Sequence, residues 1–393
     1  MFKQTTAITA MNLRAIPQRL GTSWVIVIGI AVTVAVLVSV LAMVAGFSKT
    51  LSSTGRADRV IVLRGGSVAE LSSTISRDNT INIMDAAGVK KDADGKPIAS
   101  AEMVAVVALP LKKTGTAANL TVRGIGPRNA ELRPEIHLIA GRMFQPAVRE
   151  LIVGRSAAAQ FQGVDIGSHI TVRNSEWTVV GEFESGGDAH ESELMGDIET
   201  VLSAFRRNLF QSVTVMLESP EAFAQYKDKL TTDPTLTVDV EREPDYYAAQ
   251  SKQLNKLLNF LAFGVGGIMA IGAIFGALNT MYSAVSARSL EIATLRAIGF
   301  AGLPVVVAIL LETMLLALAG GVLGGAAAWL LFNGYAASTM AAGTVGKLSF
   351  ELHVTAGVLW QGLKWALAIG FIGGLVPAVR AATMPVTAAL REL

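Results

Sequence analysis

Residues 20–48 read LGTSWVIVIGIAVTVAVLVSVLAMVAGFS, 29 positions without one charge. As an α-helix at about 1.5 Å per residue this stretch would run about 43 Å, more than the roughly 30 Å of bilayer hydrocarbon, so it reads as a membrane span. Its apolar part is about twice as long as that of a signal peptide and no small-x-small site closes it, so it is expected to be retained. Working outward, residues 257–287 hold 31 uncharged positions, residues 303–332 are interrupted only by Glu312, and residues 354–379 only by Lys364. Four transmembrane helices follow from this count.

The whole composition agrees with a membrane protein. Of 393 residues 51% are apolar and 16% charged, against roughly a quarter charged in soluble domains. Lys plus Arg (33) nearly balances Asp plus Glu (31), and no basic run with interleaved aromatics occurs, so nucleic acid is not an expected partner. The absence of Cys excludes disulfides, thiolate metal sites and cysteine nucleophiles.

Between the first two spans lie 208 residues with 24 Lys or Arg and 27 Asp or Glu, the make-up of an ordinary soluble domain. The short loops fix its side of the membrane, because Lys and Arg favour the cytoplasm. Lys3, Arg14 and Arg19 precede span one without an acid, Arg288 and Arg296 follow span two, and Arg380 and Arg391 follow span four. Both termini are therefore expected in the cytoplasm and the large domain outside. Within it AEMVAVVALP and NLTVRGIGP read as strands, and HITVRNSEWTVVGEFE as a hairpin with Asn174 and Ser175 in its turn. SAAAQFQG and SPEAFAQYKDKL read as helices, giving an α+β domain. From Pro244 a helix with Leu254, Leu257, Leu258 and Leu261 along one face continues without a breaker into span two.

The segment SARSLEIATLRAIGF after span two resembles the signature loop of the MacB/LolCE/FtsX permeases, the membrane subunits of type VII ABC transporters. In that family an Arg, a Glu-Ile pair, a Leu-Arg-Ala triplet and a Gly recur. Arg288, Glu291, Ile292, Leu295, Arg296, Ala297 and Gly299 occupy those places. ILLETMLLALAGGVLGG resembles the family's third span, and GGLVPAVRAATMPVTAALREL its closing pattern through Pro377, Ala378, Pro385, Leu390 and Arg391. GRMFQPAVRELIVGRSAAAQF and the hairpin after it resemble the small subdomain of MacB-type outer domains.

The resemblance implies four transmembrane helices and a periplasmic α+β domain between the first and second, in the bacterial inner membrane. The expected organisation is a cytoplasmic amphipathic segment at 1–19, span one at 20–48 and the MacB-like domain at 49–243. Porter-like halves would lie near 49–139 and 204–243, around a small subdomain at 140–203. A stalk helix and span two occupy 244–286, a cytoplasmic coupling loop 287–302, span three 303–332, a short periplasmic loop 333–353, span four 354–379 and a cytoplasmic tail 380–393. No G-x-x-x-x-G-K-[ST] occurs, since GTVGKLS has neither the spacing nor a Ser or Thr after Lys347. The ATPase, with its ATP and Mg²⁺, is accordingly expected on a separate polypeptide, present in two copies. This chain would bind no cofactor and be no enzyme. Expected partners are a second permease copy (identical or paired), a periplasmic adaptor or lipoprotein, and lipid. Its work would be export or extraction of a hydrophobic or amphipathic substrate or lipoprotein; the alternative is FtsX-like switching of a periplasmic cell-wall hydrolase with nothing transported.

Single residues carry two readings each. On a helix, Ile292 and Leu295 form an apolar face flanked by Arg288 and Glu291, either a docking face for an ATPase groove or a solvated connector. Glu312, about nine residues into its span, is either a relay or substrate contact, or a structural anchor. The Gly272–Gly276 step and the Gly320 and Gly324 stripe permit close helix packing, between copies or within one. Asp188, His190, Glu191 and Glu193 read as a solvated loop rather than a metal site. The chain is expected to hold no metal.

Overall fold

The computed structural model describes residues 4, 8–9, 20–340 and 347–384. In chain order the elements begin with α1 (Leu20–Ser52), β1 (Arg59–Arg64), α2 (Arg77–Met84), β2 (Ala99–Pro110) and β3 (Ala117–Ile125). Then come α3 (Asn129–Leu132), β4 (His137–Gly141), β5 (Glu150–Gly154), α4 (Arg155–Gln160), β6 (His169–Val172) and β7 (Ser175–Glu184). After these run β8 (Glu193–Asp197), α5 (Ile198–Ala204), β9 (Ser212–Met216), α6 (Phe223–Thr232) and β10 (Val238–Arg242). The chain closes with α7 (Glu243–Ser286), α8 (Ser289–Ala297), α9 (Gly302–Phe332), β11 (Ala336–Met340), β12 (Lys347–Glu351) and α10 (Ala356–Thr383). Two compact units result: a helical one from residues up to 45, 257–335 and 352 onward, and a sheet one from 46–256 with 336–351.

Four helices among the described residues are long and apolar enough to cross a membrane: Ser23–Ser52 of α1, and α7, α9 and α10. Helical backbone closes its hydrogen bonds within each span, as a bilayer demands, except at Pro377 inside α10, which has no N–H to donate. In the helical unit small residues let backbones approach. A Cβ on Gly320 would lie 2.8 Å from the Val27 carbonyl oxygen of α1, and one on Gly324 would run into the Ala31 carbonyl. The α9 glycines therefore pack within one chain. Gly272 and Gly276 meet nothing within 4 Å. Along α7, Leu258 is buried while Leu257 and Leu261 are exposed, so the expected leucine stripe is not covered as a whole.

The sheet unit holds one connected sheet in the order β10-β1-β9-β2-β3-β8-β5-β7-β4, with β6 also on β7. Its pairs are antiparallel except β3 with β8 and β5 with β7. The long strand β2 pairs through Ala99–Glu102 with β9 and through Met103–Pro110 with β3. It therefore feeds two cores. One packs β1, β9 and β10 against α2 and α6 through Val60, Ile83, Val213, Tyr226 and Val240. The other packs β3, β5, β7 and β8 with α5 around Leu120, Leu151, Trp177 and Leu194. The two cores meet along β2, and β3 and β4 pair with β8 and β7. The hairpin turn also sits one residue earlier than expected, at Arg173 and Asn174, since Val172 pairs with Ser175. Capping follows the sequence: Asp197 accepts from the Thr200 N–H at the start of α5, and Ser76 from the Asn79 N–H at α2.

Residues 333–353 read as a plain loop, yet β11 and β12 within them pair as an antiparallel hairpin. Ser349 N–H donates to Ser192 Oγ at 2.9 Å, and Phe350 meets Phe47 edge-on at 5.5 Å, which attaches the hairpin to the sheet unit. The amphipathic segment 1–19 lies outside the described residues except Gln4, Ile8 and Thr9. Of these Ile8 is buried in the helical unit's core. Pro385, Leu390 and Arg391 also lie outside them.

Candidate coupling site

In the helical unit, α7 ends at Ser286 and α8 begins three residues later, with the Arg288 N–H donating to the Val285 carbonyl at the turn. Glu291 in the first turn and Arg296 in the last complement the α8 dipole. Its end is set by Gly299, whose φ of +99° few side chains tolerate, and by the Phe300 N–H donating to the Leu295 carbonyl. Both the loop glycine and the acidic start are legible in the sequence.

The faces of α8 differ from expectation. Ile292 and Leu295 turn inward, packing on the helical core and lining a small cavity with Met281, Val305 and Ile309. An apolar stripe is stabilised by the nearest apolar surface, here the chain's own bundle. The side left to solvent carries Leu290, Glu291, Thr294, Ala297 and Ile298, with Ile298 69% exposed. That spacing of three and four residues makes one helical face.

Two arginines tie α8 to its neighbours. Arg288 Nη1 lies 3.3 Å from Glu312 Oε2 of α9, with both side chains buried, and Arg288 Nε is 3.4 Å from Glu291. Glu312 thus takes part in a buried ion pair rather than facing lipid, which removes most of the cost of an intramembrane carboxylate. Arg296 Nη1 donates to the Met384 carbonyl at 2.8 Å, just beyond the end of α10.

The sheet unit contains a second constellation that periodicity does not reveal. Arg123 of β3 donates to Glu70 and Glu102 at 2.8 Å and to Glu193 at 2.7 Å. Arg133 pairs with Glu102, and Arg59 with Glu243 and with Glu135. His190 Nδ1 stands 3.3 Å from Glu193 Oε2, and the Glu70 N–H donates to the Tyr246 hydroxyl. All but Glu135 of these charged groups are buried. The loop carrying Asp188, His190, Glu191 and Glu193 is therefore interior, not solvated: Glu193 answers Arg123, while Asp188 and Glu191 accept from the Ser185 hydroxyl and from the Ser185, Gly187 and His190 N–H groups. Among the described residues no group of three or more such side chains could hold a metal ion. The available signal is a charge inside an otherwise apolar strand: Arg123 in LTVRGI and Glu102 in SAEMVAV.

Burial alone would raise Glu102 and Glu193, but the charges beside them outweigh it. Glu102 is held below the usual carboxylate range by Arg133 and Arg123, and Glu193 far below it by Arg123 and His190. Asp188, with burial dominant, is pushed up. The network gathers β1, β2, β3, β8 and the segment after α3 onto Glu243, the first residue of α7.

Residues 23–233 match the family model of the MacB-like periplasmic core domain, and residues 263–386 that of the FtsX-like permease C-terminal region. A curated relative, the macrolide export ATP-binding/permease protein MacB of Bdellovibrio bacteriovorus, is 24% identical over 394 residues, covering 93% of this chain. The chain spans 58% of that relative's length. Similar solved structures include the periplasmic region of MacB from Actinobacillus actinomycetemcomitans, 13% identical over 48% of this chain and 90% of that one, with a TM-score of 0.36. The extracellular domain of the ABC-type transporter YknZ from Gram-positive bacteria is 15% identical over 47% of this chain and 99% of its own, with a TM-score of 0.35.

Proposed function

We propose that this chain, which belongs to the permease family built from a MacB-like periplasmic core domain and an FtsX-like C-terminal region, transmits ATP hydrolysis to an outer domain. It is a permease of the type VII ABC transporter class, a multi-pass protein of the bacterial inner membrane. The ATPase is a separate subunit in two copies, supplying ATP and Mg²⁺, and the permease itself dimerises.

One observation carries the coupling reading: α8 presents an exposed face of Leu290, Glu291, Thr294 and Ile298 while Arg288 and Arg296 fasten its other sides to α9 and to the end of α10. A helix held this way moves as a lever, not as slack connector. A push on α8 passes into α7, which runs unbroken for 44 residues from Glu243 of the ionic network. The cargo would be a hydrophobic or amphipathic molecule or lipoprotein met on the outer side, with an adaptor receiving it.

The test is reconstitution in lipid nanodiscs with the co-purified ATPase. The chain has no native Cys, so Ile298→Cys carries a single cross-linker. Cross-linking to the ATPase that tightens on ATP addition supports the reading; labelling of the introduced thiol by an impermeant reagent from outside intact cells overturns it. Cargo that stimulates hydrolysis separates transport from the regulatory alternative, in which a cell-wall hydrolase co-purifies and no cargo stimulates.

A further inference from the structure

Three residues other than glycine adopt positive φ among the described residues: Ala147 at 61°, Arg173 at 57° and Arg206 at 52°. All three line one cavity of about 700 Å³ in the sheet unit. It is walled by the turn before β5, the β6–β7 turn, α5 and the turn after it. Left-handed backbone is costly for residues with a Cβ, and such strain gathers where a structure places side chains for a task.

The charge pattern gives the task. Arg149, Arg173 and Arg206 converge on this cavity, and among the described residues none of them meets a carboxylate. Elsewhere in the same unit eight arginines are ion-paired, Arg59, Arg123 and Arg133 among them. The one acid in the lining, Glu199, is already held by both Arg77 nitrogens at 2.8 and 2.9 Å. The rest of the polar wall is Asn174, Ser175, Thr200 and Ser203, hydroxyls and an amide able to donate. Arg173 lies over the Phe205 ring at 5.5 Å, which holds its guanidinium in place.

From this we infer that the cavity binds a phosphate-bearing polyanion with a polar body. Guanidiniums recognise phosphate oxygens bidentately, three from separate turns enclose several charges at once, and the volume suits a small organic ligand. A single carboxylate would leave two cations unanswered. The site is independent of the coupling reading.

The test is calorimetric titration of the full chain, in phosphatidylcholine nanodiscs, with inositol hexakisphosphate, with dihexanoyl phosphatidic acid and with a hexaglutamate peptide. Saturable binding of either phosphate probe that weakens about tenfold on each of Arg149→Gln, Arg173→Gln and Arg206→Gln upholds the site. Binding of the inositol phosphate assigns a free phosphate ligand, and binding of the phosphatidic acid alone a headgroup. Arg56→Gln, outside the cavity, should change nothing. Arg173→Gly and Arg206→Gly relieve the φ strain, so loss of binding with unchanged or raised melting temperature distinguishes a site from a structural role. No saturable phosphate binding, binding indifferent to the three substitutions, or binding of hexaglutamate alone overturns the inference.

Discussion

Arg288, at the start of the α8 helix, and Glu312, ten residues into α9, form a buried pair with Nη1 to Oε2 at 3.3 Å. The pair fixes the angle at which the loop helix leaves the bundle, and it explains why a carboxylate is tolerated inside a span. It also ties α8 directly to α9. The glutamate's place in the sequence shows its cost; only its partner shows its use.

Removing Glu312 alone should destabilise more than removing both partners. Glu312→Leu removes the buried partner of Arg288 and leaves it beside the exposed Glu291, at an expected cost of about 3 kcal/mol, whereas Arg288→Met with Glu312→Leu should recover a substantial part of it. Thermal unfolding of the purified protein in nanodiscs measures both. Equal losses for the single and double variants would dissociate the pair.

The exposed face of α8 should serve a partner and not the fold. Leu290→Asp with Ile298→Asp is expected to leave the melting temperature within about 0.5 kcal/mol equivalent. It should abolish ATPase binding in a pull-down. Ile292→Asp places a charge against the helical core instead, so it should lower stability by about 2–4 kcal/mol before any binding is measured.

The outer ionic network predicts a pH response with a definite sign. Glu102 and Glu193 titrate lower in the folded state because of Arg133, Arg123 and His190. Their contribution is complete above the unfolded carboxylate range, near pH 4.3, and is lost as pH falls through the lowered folded values. Asp188, raised by burial, acts oppositely: its contribution holds below its unfolded value and fades as pH rises. Hydrogen exchange of peptides from β3 and β8, corrected for intrinsic rates, should stay protected from about pH 7 to about pH 5 and lose protection in more acidic buffer. Glu102→Gln should flatten that dependence while lowering protection at neutral pH.

Glycine substitutions should separate packing within one copy from packing between copies. Gly324→Val drives a side chain into the Ala31 backbone of α1 and should cost about 1–3 kcal/mol or prevent folding. Gly272→Val enters open space and should leave the monomer's stability unchanged. If the Gly272–Gly276 step seats a second copy, this variant reduces dimer in nanodisc mass photometry.

What sequence alone determined follows from constraints that act locally. A bilayer demands about 20 apolar residues per span and rejects charges, so the four helices could be read from run lengths. Strand alternation, caps at Ser76 and Asp197, and the stop at Gly299 likewise depend on near neighbours. Tertiary structure decided everything that required distant residues to meet. Ile292 and Leu295 had an apolar face in either case; the bundle beside them chose its direction. Gly320 and Gly324 were fit for contact, and α1 supplied it, while Gly272 and Gly276 found none within the described chain. The Asp188–Glu193 loop looked hydrophilic and is buried, because Arg123 comes to it from 70 residues away in sequence. Strand β2 serves both cores of the sheet unit, since strand pairing and not chain position assigns a residue to a core. Charge, apolarity and flexibility are properties a residue carries alone, but partners are supplied only by the fold.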